Sequence, residues 1–71
     1  MSTVRVMQFK VWDPASDYFE LSSRLATRDY IALIPGARAI AGTECEILRA
    51  HLEPGEEWTP AGFVERSSVM A

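Results

Sequence analysis

The side chains able to do chemistry are few. Among 71 residues there is one cysteine, Cys45, and one histidine, His51. A thiol and an imidazole can act as nucleophile and base when they share a hydrogen bond. Six residues along a strand separate them by about 20 Å, and on a helix positions i and i+6 lie on different faces. A buried small hydrophobe and a surface imidazole are expected instead. Neither an internal disulfide nor a closed zinc site can be built from one Cys and one His.

Carboxylates come in two close pairs, Glu44/Glu46 and Glu56/Glu57. Two on one strand face stand about 7 Å apart, near enough to share a proton or a cation. A chain this short struggles to enclose a ligand cavity of about 300 Å³. A solvated acidic edge is therefore expected, which also discourages edge-to-edge pairing. Arg24 and Arg28, with Ser22, Ser23 and Thr27, could hold a phosphate at a helix start. No glycine lets the backbone close in there, so packing of the stems or ion pairs with Glu20 and Asp29 are expected. No catalytic residue, metal or cofactor is expected.

These residues must be placed by a small set of elements. Val4 to Trp12 alternates as a strand, with Met7, Phe9 and Val11 on one face and Gln8, Lys10 and Trp12 on the other. Asp13-Pro14-Ala15-Ser16-Asp17 is turn chemistry. Tyr18 to Ser22 alternates again, with Phe19 and Leu21 on one face, so a β-hairpin is predicted. Thr27 suits a helix N-cap, and Asp29 complements the first turn. Ala26, Tyr30, Leu33 and Ala37, widened by Ile31 and Ile34, form an apolar stripe. Pro35-Gly36 stops this short helix, predicted over about 27–35 and resting on the hairpin. A third strand is predicted over about 38–48, with Ala39, Ala41, Thr43, Cys45 and Ile47 on one face. The alternative is a helix from the capping box Thr43-Glu44-Cys45-Glu46. From Glu53 to Phe63, two prolines and two glycines forbid a long element. Trp58 and Phe63 are expected to fold back on the body.

The expected fold class is α+β: a small antiparallel sheet of about three strands with one short helix packed on it (β-β-α-β), then an irregular C-terminal arm. Residues 1–63 are expected to form one domain and 64–71 a frayed tail. The chain is 48% hydrophobic and 24% charged, which favours a folded body over disorder. A core this small supplies about 3–5 kcal/mol, so extra stability from self-association is one expectation. The N-terminus lacks the apolar run of a signal peptide, and a lone thiol suits a reducing compartment. A cytoplasmic location is expected.

Net charge is −3. Residues 1–36 balance four basic and four acidic side chains, whereas 37–71 hold three basic and six acidic ones. A direct nucleic-acid binder would carry a basic patch, so none is expected here, nor a membrane partner. The runs Phe9-Lys10-Val11-Trp12-Asp13-Pro14, Ala26-Thr27-Arg28 and Gly42-Thr43-Glu44 resemble short uncharacterised proteins of proteobacteria and their phages, over about residues 7–63. The resemblance implies a phage or mobile-element context and carries no activity. By analogy of size and charge, it suggests an inhibitor of the anti-CRISPR kind.

The expected function is that of a non-enzymatic acidic binding protein, a steric or nucleic-acid-competing inhibitor of a larger host complex. Glu44, Glu46, Glu53, Glu56 and Glu57 would dock on a basic surface, with Trp58 as an apolar anchor. Trp12 and Tyr18 are further aromatic candidates. The alternative is a homodimeric accessory or regulatory protein.

Overall fold

The turn after the first strand is built by Asp13. Its Oδ1 accepts the Ala15 N–H at 3.0 Å, and its carbonyl accepts the N–H groups of Ser16 (3.2 Å) and Asp17 (2.8 Å). Asp17 takes φ 58, a conformation that Asp tolerates better than most residues. This turn joins β1 (Thr3–Asp13) to β2 (Tyr18–Ala26) in the computed structural model, which describes residues 2–63. The tail expected over 64–71 lies outside the described residues.

The register pairs Asp13 with Tyr18, Trp12 with Phe19 and Lys10 with Leu21. Directly opposed residues project from the same side of a sheet. Phe19 and Leu21 therefore share the Lys10/Trp12 face, opposite Phe9 and Val11. Further along, Gln8 pairs with Leu25, so Ser22, Ser23 and Arg24 bulge opposite Phe9 alone. Ser22 Oγ accepts the Arg24 N–H at 3.1 Å inside this bulge.

Helix α1 (Arg28–Leu33) starts as predicted: Thr27 caps it by accepting the Tyr30 N–H. It packs on the Phe9 face, where Met7, Phe9, Ala26 and Ile31 form the buried core. Tyr30, Ile34, Ala37 and Trp58 close around them. Leu33 departs from the expected stripe and is 77% exposed. Two residues turn a helix by about 200°, so a helix that buries Ile31 must turn Leu33 outward.

The single strand expected over 38–48 is two strands. β3 (Ala37–Ala39) pairs Phe9 with Ala39 and Val11 with Ala37. β4 (Cys45–Leu48) pairs Val6 with Cys45 and Thr3 with Leu48. Both lie antiparallel on the same edge of β1, giving a four-stranded sheet ordered β2-β1-β3 with β4 also on β1. In β3's register Val6 would meet residue 42, but it meets Cys45, a slip of three.

Gly42, at φ 85, turns the chain inside this slip. Thr43 Oγ1 accepts the Gln8 N–H at 3.0 Å and donates to the Ile40 carbonyl at 2.7 Å. Glu44 accepts the Gly42 N–H at 3.1 Å. The first two residues of the candidate capping box are thus committed to a turn, and the alternative helix does not form. An odd slip also reverses faces. Ala39 shares the Phe9 side, whereas Cys45 and Ile47 share the Val6 side. Cys45, expected to be buried, is exposed on this edge strand.

After β4, a single 3₁₀ turn (Arg49–His51) leads into the arm. The arm returns along the free edge of β2: Ala26 bridges Trp58, and the Thr27 N–H donates to the Glu57 carbonyl.

Candidate functional site

Of the six candidate docking residues, the fold brings four together. Glu53, Glu56, Glu57 and Trp58 belong to one turn, closed by Glu53 N–H donating to the Trp58 carbonyl (2.8 Å) and Glu56 N–H to the Glu53 carbonyl (2.9 Å). Gly55 supplies the positive φ of 77 that the turn requires.

Each carboxylate of the turn has a partner on the body. Glu53 lies 3.6 Å from the Arg24 guanidinium. Glu56 accepts the Tyr30 hydroxyl proton. Glu57 accepts from the Thr27 hydroxyl at 3.3 Å and pairs with Arg49 at 3.4 Å. Trp58 is half-buried: Arg24 lies 4.1 Å over its ring, and Tyr30 meets it edge-on at 5.3 Å. The indole is therefore the pillar under the turn. An open groove of about 410 Å³, lined by Arg49, Leu52, Glu53, Glu56 and Glu57, runs beside it.

Glu44 and Glu46 belong elsewhere. Glu44 reaches Arg28 at 4.0 Å and, with Arg5, Thr27, Arg28 and Asp29, lines a second open groove of about 380 Å³. Glu46 is exposed on β4, paired in register with Arg5. Arg24 and Arg28 thus take Glu53 and Glu44 as partners, not the expected Glu20 and Asp29. Sequence spacing could not show this, because both pairs join residues far apart in the chain that only the folded sheet brings together.

Among the described residues, Tyr30 has a raised pKa. The Glu56 carboxylate that accepts its proton holds it above the usual phenol value, and burial and the negative charge of Glu56 add to this. His51 is exposed, and its ring lies tilted against that of Phe63 at a centroid distance of 5.8 Å. Among the described residues there is no group of three His, Cys, Asp or Glu able to hold a metal ion. No buried side-chain polar atom there lacks a hydrogen-bond partner.

A second surface was not evident from residue types. On the outer face of the hairpin, Trp12 and Phe19 meet edge-to-face at 5.2 Å, and Lys10 lies 4.8 Å over the Phe19 ring. Trp12 is 39% and Leu21 60% exposed. Counting pairs outward from a four-residue loop at Pro14–Asp17 would have placed all four residues on one face.

Comparison with models of known families, with curated proteins and with solved structures finds no match. The class defined by fold and site is a small α+β protein with open, charged surfaces. Among its described residues no helix is long and apolar enough to cross a membrane.

Proposed function

We propose that this chain is a small non-enzymatic binding protein that acts by covering a basic surface of a larger protein or ribonucleoprotein complex. The observation that carries this reading is the turn holding Glu53, Glu56 and Glu57. Three carboxylates stand on a loop braced by its own backbone bonds, by Trp58 and by Arg24. A braced loop loses little conformational freedom on docking, and its charge speeds encounter with a basic partner. Glu44 and Glu46 lie apart from this turn, beside Arg28 and Arg5. By analogy of size and charge alone, the inhibitory form of this activity is the one proposed, in which the chain competes with nucleic acid for the same basic surface.

Affinity capture from the native host's lysate, followed by binding measurements with the captured protein at low and high salt, tests the reading. The E53Q/E56Q/E57Q variant removes charge but keeps acceptors for Arg24, Tyr30 and Thr27. Its affinity should fall by about tenfold at low salt, ~1.4 kcal/mol, and lose most of its salt dependence. Equal affinity of variant and wild type at both salt concentrations rules the turn out as the docking surface.

A further inference from the structure

The outer hairpin face presents side chains in a grid set by strand pairing. One row across β2, β1 and β3 is Leu21, Lys10 and Arg38; the next is Phe19 and Trp12. The face is apolar at its centre and exposed. Its charges are separated along the strands. At one end are Lys10 and Arg38, which have no carboxylate within 4.0 Å among the described residues and both lie over the Phe19 ring. At the other end is the turn with exposed Asp17.

We propose that this face joins two copies of the chain in an isologous dimer, with the two-fold axis passing through the Trp12–Phe19 row. Lys10 lies two residues before Trp12 on β1, about 7 Å from the row, and Asp17 closes the turn at the other end of the hairpin, just before β2. A two-fold rotation about that row lays the cationic end of each copy over the acidic end of the other, so the contact is made twice. The apolar centres then cover one another as two sheets packed face to face. A two-fold axis along the strands would oppose like ends, so the charge gradient selects the axis along the row. A second copy is therefore the occupant that matches both the apolar centre and the charge order. The dimer is independent of the docking role above: Trp58 and its turn pack on the Phe9 side, and both stay open.

Sedimentation equilibrium tests the proposal. The wild type should sediment at twice 7.9 kDa, with affinity falling as salt is raised. L21E, at an exposed position, should sediment at 7.9 kDa with an unchanged far-UV circular dichroism spectrum. K10E/R38E and D17K should each dimerise at least about tenfold more weakly than wild type. An equimolar mixture of the two should recover association, because each then offers the charge the other lacks. A wild type that remains at 7.9 kDa at its highest soluble concentration overturns the dimer, whatever other partner the face takes. A dimer indifferent to L21E overturns the face, and failure of the mixture to associate overturns the two-fold charge pairing.

Discussion

Thr59 and Leu25 join the arm to the sheet by two bonds, in one of which a side chain stands in for backbone. The Leu25 carbonyl accepts the Thr59 N–H at 2.8 Å, and the Leu25 N–H donates to the Thr59 hydroxyl at 2.9 Å. Thr59 is completely buried at this junction. Trp58 and the carboxylate turn are placed by the residue beside them, so the junction is where the candidate site is anchored.

Replacing Thr59 by Val keeps its shape and strands the Leu25 N–H in a dry site. An unsatisfied buried donor costs about 1–3 kcal/mol. Urea unfolding should show a loss of that size for T59V and a much smaller one for T59S, which keeps the hydroxyl. Equal losses for the two variants would mean that packing, and not the hydrogen bond, holds the junction.

Phe9 is 1% exposed and touches the centre of the only cluster that links sheet, helix and Trp58 among the described residues. Phe→Ala in a core costs about 3–5 kcal/mol, as much as a core this small supplies. F9A should be unfolded at room temperature, with the dispersed amide spectrum of a folded sheet lost. A folded F9A would show that stability comes from elsewhere, self-association included.

Thr43 accepts from Gln8 and donates to Ile40 at the slip between β3 and β4. T43A leaves the Gln8 N–H without that partner and should destabilise by about 1–2 kcal/mol. Amide exchange should quicken first at Gln8 and along β4, while the β1–β2 hairpin stays protected. Uniform loss of protection across the sheet would argue against a local role.

The Tyr30–Glu56 hydrogen bond gives a pH dependence at the alkaline end. The phenol is held above its usual pKa of about 10 by Glu56, so the folded chain favours the protonated form. That contribution is complete below the ordinary phenol pKa and is lost as pH rises through the raised one. Absorbance titration of phenolate should show Tyr30 ionising later in wild type than in E56Q. Coincident curves would show that the carboxylate does not hold the proton.

Much of this molecule was legible before its structure. Alternation gave the hairpin, Asp13-Pro14 its turn, and Thr27 with Pro35-Gly36 the two ends of the helix. Each of these signals acts within a few residues, through parity, capping or ring geometry. The break at residues 40–44 was hidden because Ala37 to Leu48 keeps an alternating pattern that fits one strand. The competing bonds come from Gln8, more than thirty residues away.

The candidate site was half legible. The acidic run from Glu53 to Trp58 is local and stayed together, whereas Glu44 and Glu46 were scattered by the slip in register. Composition, charge and short-range pattern by themselves determined an α+β chain with few reactive groups and an acidic second half. Tertiary structure alone decided which carboxylate meets which arginine, that Cys45 faces solvent, and that Trp12, Phe19 and Leu21 share an open face. The reason is physical: pairing register has a period of two, so a shift of one or three residues sends every later side chain to the opposite face, and that shift is set by contacts distant in the chain.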